Sequence, residues 1–237
     1  MKGVKFFNKV TNLYKKTNLT KRLFIRARTV RMASSSRTVE YAWALTQLEK
    51  NGQRILDVGS TNSMLPIQLA SIGHDVYSID PRSYVEWHGL VHPNMKFAKG
   101  DICQAPFNSK FFDIAIAISA IEHIGTEDFY KNPSVDETKD LKAIQEIARI
   151  LRKDGRFIFT VPYRQKIPYS ILQKRKVPFI RLYNEKTIRN RLLKGVFSIE
   201  KEEYFCMEDG FWHRASIEEM KNLGEKEGLA CIVARKM

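Results

Sequence analysis

Ile55-Leu56-Asp57-Val58-Gly59-Ser60-Thr61-Asn62-Ser63 decides how the rest of the chain reads. Arg54–Val58 has the apolar run of a buried strand, and the apolar spacing over Met64–Ile72 predicts a helix. A strand, a tight turn and a helix in succession open a βα unit. In a doubly wound sheet that turn lies at the carboxyl ends of the strands, where ligands bind. Gly59 lets the backbone turn sharply and approach a ligand closely. The free N–H groups of the helix behind it favour a carboxylate or phosphate.

Working outward, short apolar runs alternate with helical patterns. Asp75–Ile79, Lys96–Lys99 and Phe112–Ile118 read as strands two to four, the last a continuous apolar run typical of a strand buried on both faces. Thr138–Arg152 predicts a helix with Leu141, Ile144, Ile147, Ala148 and Leu151 on one stripe, ended by Lys153-Asp154-Gly155. Arg156–Val161, Val196–Phe205 and Leu229–Arg235 are further strands, with helices over Glu185–Leu193 and Ile217–Gly224. Upstream, Arg37–Lys50 predicts a helix with Val39, Tyr41, Ala42, Leu45 and Leu48 inward. The expected fold is α/β: a Rossmann-like, doubly wound, mostly parallel seven-stranded sheet with helices on both faces.

Three further signals lie at the strand ends. Asp80 ends strand two, 21 residues after Gly59, where an acid can accept from both ribose hydroxyls of a nucleoside. Nicotinamide enzymes share that geometry, but their G-x-G-x-x-G fingerprint fails here, since positions 61 and 64 are Thr and Met. Gly100-Asp101-Ile102, then Ala105-Pro106-Phe107 and Phe111-Phe112-Asp113, place an acid and an apolar side chain after strand three. Ser119-Ala120-Ile121-Glu122-His123-Ile124 follows strand four.

Taken in order, these four motifs resemble the class I S-adenosylmethionine-dependent methyltransferases of the small-molecule type, over roughly residues 52–162. The resemblance implies S-adenosyl-L-methionine as cofactor. By it, Asp57 and Gly59 shape the methionine end, Asp80 holds the ribose, Asp101 and Ile102 hold the adenine, and Ser119 lies near the sulfonium. The family's GxGxG turn is replaced by Gly59-Ser60-Thr61-Asn62-Ser63. The hydroxyls of Thr61 and Ser63 can bond the cofactor's carboxylate or amine, while their β-carbons can crowd it.

Glu122-His123 is the acid/base candidate, because His titrates near neutrality and a carboxylate can orient it. The alternative is a pair that only shapes the pocket. Residues 162–184 form a basic, aromatic insertion without an acid between Tyr163 and Tyr183: Arg164, Lys166, Lys174, Arg175, Lys176 and Arg181 stand among Tyr163, Tyr169 and Phe179. It reads either as a lid for an anionic acceptor, such as a sugar, glycan or lipid-linked molecule, or as a solvated surface insertion. Tyr163, Arg164, Lys166, Trp212 and His213 are the acceptor-binding candidates. O-methylation is the expected reaction. An RNA methyltransferase and a catalytically silent cofactor binder or scaffold are the rivals. The Asn/Asp-Pro-Pro-aromatic motif of base-amine methylation is missing after strand four, and the altered glycine turn favours the silent reading.

The net charge of +14 is unevenly placed: residues 1–39 hold 11 of the 40 Lys/Arg and no Asp or Glu. Residues 1–36 therefore read as a basic helical arm on a methyltransferase domain spanning 37–237. The arm suits an anionic membrane surface, RNA phosphates or packing against its own or a sister subunit. Nucleic acid is the less favoured partner, because little of the charge belongs to the body. No run approaches a membrane span. Three scattered cysteines show neither metal spacing nor a disulfide framework, and His88 and His92 are given no metal role. A cytoplasmic protein, possible at the membrane periphery, is the expectation.

Overall fold

The computed structural model describes residues 35–49, 52–61, 63–82, 91–126, 136–165, 170–174, 177–224 and 226–237, without side chains at 170–174 and 177–179. Most of the N-terminal arm, together with Lys166 and His88, lies outside the described residues. Strands β1 (Arg54–Val58), β2 (Asp75–Asp80), β3 (Met95–Lys99), β4 (Phe112–Ile118) and β5 (Leu151–Tyr163) form the parallel half of one sheet. Strands β8 (Phe197–Glu208), β9 (Phe211–Ala215) and β10 (Gly228–Lys236) complete it in the order β3-β2-β1-β4-β5-β10-β8-β9, with the last three running antiparallel to their neighbours.

The sheet therefore has eight strands where seven were expected. The extra one is β9, an edge strand with Phe211 exposed and no clean apolar alternation. Its sequence signal is the turn before it. Asp209 (φ 48°) and Gly210 (φ 83°) are both left-handed, which is the backbone of a two-residue hairpin.

Alternation along the strands divides the core into two layers. Ile55 of β1 and Ile114, Ile116 and Ile118 of β4 face helices α1 (Ser36–Thr46) and α2 (Leu65–Ser71) through Trp43, Ala44, Leu65 and Leu69. Leu56, Val58, Ala115 and Ala117 face the other way, toward Ile144 and Ile147 of α3 (Lys139–Ile150). Those isoleucines are buried, each contributing roughly 2 kcal/mol. A short helix α4 (Glu185–Thr187), continued by a wider turn over Ile188–Leu192, and α5 (Ile217–Lys221) join the same layer. Helices thus cover both faces.

Helix α1 departs from its expected register. Its buried residues are Glu40, Trp43, Ala44 and Gln47, while Val39, Tyr41, Leu45 and Leu48 are half-buried and Ala42 is exposed. The spacing is that of one helical stripe, but two of its four members are polar, so apolar periodicity pointed to its flank, from which Tyr41, Leu45 and Leu48 still pack against the core. Ser35 caps this helix, its hydroxyl accepting from the Arg37 N–H.

Residues 162–184 leave the sheet after β5 and return through a hairpin of β6 (Ser170–Lys174) and β7 (Val177–Leu182). Its base is closed by Arg164 N–H to Tyr183 O at 2.8 Å and Tyr183 N–H to Pro162 O at 3.1 Å. Arg181 is no part of a cationic surface here. It is fully buried, donates to the carbonyls of Ile124 and Asp136, and lies 3.9 Å from the Asp140 carboxylate. Asp140 is buried as well and takes Arg191 at 2.6 Å and the Tyr183 hydroxyl at 3.1 Å. A buried guanidinium needs such partners, and these tie the insertion to α3 and to the loop after β4.

Candidate active site

At the carboxyl tip of β1, Gly59 adopts φ +80°, and a Cβ there would stand 2.8 Å from the Ala120 Cβ. Only glycine permits this close crossing of the turns after β1 and β4. The Gly59 N–H donates to the Ile79 carbonyl at 2.9 Å, locking the turn to β2. Asp57, one residue back from the strand end, is buried, and its Oδ2 has no hydrogen-bond partner among the described residues. Burial first, and the Asp80 charge second, push its carboxyl up to about 7. Asp80 is also buried: its Oδ2 accepts the Thr61 N–H at 3.0 Å and its Oδ1 the Arg82 N–H at 2.8 Å.

These side chains line a cavity over the β1, β2 and β4 tips, together with Thr61, Ser63, Ile102 and Ser119. The Thr61 hydroxyl is buried there with no hydrogen-bond partner among the described residues, whereas Ser63 Oγ accepts from the Leu65 N–H at 3.1 Å. The Ser and Thr that replace glycine thus leave the cavity open and add polar atoms to its wall. Asp101 is placed differently from the other strand-tip acids. Its carboxylate lies 2.8 Å from Lys139 Nζ and accepts the Cys103 N–H at 2.9 Å, and it is not among the lining residues of this cavity. Despite the opposing effect of burial, Lys139 and the Cys103 N–H hold its carboxyl below the usual range.

Helix α1 supplies site residues that motif reading missed. Arg37 donates to the Ile118 carbonyl at 2.7 Å and, more weakly, to the Ser119 carbonyl at 3.5 Å. Glu40 is fully buried beneath, with Oε2 3.5 Å from the Arg37 guanidinium. Its Oε1 accepts from the hydroxyls of Ser119 and of Thr160, the latter at 2.5 Å. Thr160 Oγ1 in turn accepts the Ser119 N–H at 2.9 Å, and Ser119 sits at φ 41°, a backbone uncommon for a residue with a β-carbon. The one sequence signal was an acid at helical spacing from Trp43 and Ala44.

A second cavity opens beside the first and shares Arg37, Ser119 and His123 with it. Glu122, Tyr163, Arg164 and Trp212 line it, and Ile180 and Leu182 bring in the insertion. Glu122 is buried, its Oε2 lacks a hydrogen-bond partner among the described residues, and desolvation pushes its carboxyl up to about 8. His123 Nε2 stands 3.9 Å from the other carboxylate oxygen. The Tyr163 hydroxyl donates to Gln165 at 2.6 Å, and Arg164 donates to the Gly224 carbonyl at 2.8 Å. His213 is not brought here. Its Nε2 lies 3.1 Å from Cys206 Sγ and 3.8 Å from Glu208, and it lines neither cavity.

A family model described as a methyltransferase domain matches residues 56–159, from within β1 to within β5. No curated protein matches the chain. Among solved structures, an S-adenosylmethionine-dependent methyltransferase from Methanosarcina mazei is similar at TM-score 0.59 and 17% identity, over 82% of this chain and 97% of that one. The Burkholderia thailandensis 1,6-didemethyltoxoflavin-N1-methyltransferase, solved with its substrate and S-adenosylhomocysteine, is similar at TM-score 0.58 and 16% identity, over 98% and 90%. The [4+2]-cyclase SpnF is similar at TM-score 0.57 and 17% identity, over 79% and 75%. At such identities these likenesses speak for the fold, which hosts more than one chemistry. Fold, strand-tip turns and family match agree: residues 56–159 match a methyltransferase domain, and the fold is the one seen in S-adenosylmethionine-dependent methyltransferases.

Proposed function

We propose that this protein transfers a methyl group from S-adenosylmethionine to an oxygen of a small anionic acceptor of the sugar, glycan or lipid-linked kind. The observation that carries the reading is the pair of cavities meeting at Arg37, Ser119 and His123. A cofactor in one and an acceptor in the other would bring the exchanged group to those three residues.

The first cavity fits an adenosyl amino acid. The buried, unsatisfied Asp57 oxygen suits an ammonium, Thr61 and Ser63 suit the polar methionine end, and Gly59 keeps the turn thin. Asp80 would receive the ribose hydroxyls on lone pairs left beside Thr61 and Arg82. Ile102 would pack on the adenine face, with Asp101 shaping the turn that presents it. The cofactor supplies a methyl group already activated on a sulfonium. The protein's task is then mainly positioning, and holding two reactants in line can supply several kcal/mol.

In the second cavity, Arg164 and Arg37 favour an anion, while Tyr163 and Trp212 give an apolar, aromatic wall. Lys166 belongs to the same proposal on its sequence position; His213 and Arg181 do not. Glu122 and His123 are the groups able to take the acceptor's proton. With its carboxyl near 8, Glu122 is mostly protonated at neutral pH, so His123 is the better base there and Glu122 the better base above pH 8. The basic segment of residues 1–34 precedes Ser36 and Arg37, which line this cavity, and its charge favours an acceptor met at an anionic membrane surface. Among the described residues no helix is long and apolar enough to cross a membrane.

The test is S-adenosylhomocysteine formation with pairs of acceptors that differ only in an acidic group, a sugar acid against its amide for example. Turnover of the acid alone supports the reading. Turnover of the neutral partner alone, or of total RNA alone, refutes the anionic acceptor. Co-sedimentation of the full chain and of residues 35–237 with phosphatidylserine vesicles tests the arm: equal binding of both would remove it from the proposal.

A further inference from the structure

We propose that Glu40, a residue outside every motif of the fold, sets the junction's preference for a sulfonium over a thioether, and so for cofactor over spent product. This rests on the reading that the first cavity takes the adenosyl cofactor.

Arg37, Ser119 and His123 are the residues common to both cavities, so a group passed between the cavities is passed beside them. A sulfonium carries a positive charge until transfer and none afterwards. A guanidinium at the junction therefore favours product over cofactor. Glu40 counters that charge from 3.5 Å, in a position from which water is excluded. Low local polarity makes such a charge felt over several ångströms.

Hydrogen-bond direction adds to the effect with the same sign. The Ser119 hydroxyl has one hydrogen, and Glu40 receives it. Thr160 likewise spends its hydrogen on Glu40. With its hydrogen given to Glu40, Ser119 Oγ can only accept from other groups, the neighbouring Glu122 carboxyl among them, and it offers its remaining lone pair at the junction. Positively polarised methyl hydrogens on a sulfonium suit that oxygen, and the lone pairs of a thioether do not. The left-handed backbone of Ser119, held by the Thr160 hydroxyl on its N–H and Arg37 on its carbonyl, fixes the oxygen in this orientation. Glu40 acts through Ser119 and Arg37, so it is a positioning residue.

The experiment is calorimetric titration of the full chain with S-adenosylmethionine and, separately, S-adenosylhomocysteine. Glu40→Gln keeps the shape and removes the charge. It should lower the ratio of cofactor to product affinity about tenfold, mainly through weaker cofactor binding, with the melting temperature followed in parallel. Arg37→Gln should raise the same ratio. Any contact of Arg37 with the shared amino-acid part of the two ligands cancels in that ratio. A ratio within twofold of wild type in folded Glu40→Gln overturns the proposal. If Glu40→Gln does not fold, Arg37→Gln decides, and an unchanged or lowered ratio there overturns it. Should the wild type bind neither ligand, the proposed function falls and this inference with it; binding of both, with a ratio indifferent to the two substitutions, sinks this inference alone.

Discussion

On the proposed reading, Asp57 should make cofactor binding a proton-linked event. Its carboxyl sits near 7 because it is buried, with Asp80 close by, and one of its oxygens has no hydrogen-bond partner among the described residues. An arriving ammonium needs the ionised form. At pH 6 only about one carboxyl in 11 is ionised, and at pH 7 one in two, so affinity should rise roughly fivefold over that unit. Below pH 6 the slope approaches tenfold per unit. Above about pH 7.7 an α-amino group begins to lose its own proton, and the gain stops. Calorimetry at pH 6 in buffers of differing ionisation enthalpy should count close to one proton released per S-adenosylmethionine bound. Asp57→Asn should bind more weakly at pH 7.5 and release none. The same group shapes stability with the opposite trend. Its folded pKa is raised, so its contribution is whole below about pH 4 and is lost as pH climbs through 7, a swing of about 4 kcal/mol. Asp57→Asn should therefore raise unliganded stability at pH 8 and change it little at pH 4. Proton release that persists in Asp57→Asn, or wild-type affinity that is flat from pH 6 to 7, would refute the reasoning.

Gly59→Ala should cost about 1–3 kcal/mol in urea denaturation, and cofactor affinity with it, because the new methyl meets Ala120 on a left-handed backbone. Asp140→Ala should destabilise by about 3–5 kcal/mol in the same assay, since it removes the carboxylate facing buried Arg181 and half-buried Arg191. In the pH profile of kcat/KM, wild type should show a rise with an apparent pKa near 8 that Glu122→Gln abolishes; an unaltered profile would take Glu122 out of proton transfer. Arg164→Ala and Trp212→Ala should raise the acceptor's KM while leaving the dissociation constant of S-adenosylmethionine unchanged by titration.

The parallel half of the sheet was legible because strands such as β1 and β4 are mainly apolar runs followed by small turn residues, and both Arg54–Val58 and Phe112–Ile118 match their expected limits. The strand-tip turns that line the first cavity were legible for the same reason, since they sit at fixed places in such a sheet. What stayed hidden depends on contacts between distant segments. Glu40 meets Ser119 and Thr160 across 79 and 120 residues, and no local pattern announces that. Arg181 looked like one more cation until its partners, 41 to 57 residues upstream, buried it. His213 and Trp212 are neighbours in sequence, but a strand turns successive side chains to opposite faces, so only Trp212 reaches the second cavity. The partner of the Asp101 carboxylate was hidden for the same reason, since Lys139 lies on a helix 38 residues away.

Strand β10 lies between β5 and the β8-β9 hairpin, so residues 228–236 are the bolt that fastens one half of the sheet to the other. A chain emerging from the ribosome has made β1 to β5, and with them the lining of the first cavity, long before that bolt exists. Trp212, Gly228 and Leu229 reach the second cavity only after it slides home. During synthesis the two cavities are therefore completed at different times: the walls of the first are all made by residue 124, and the second waits for residues 212 to 229.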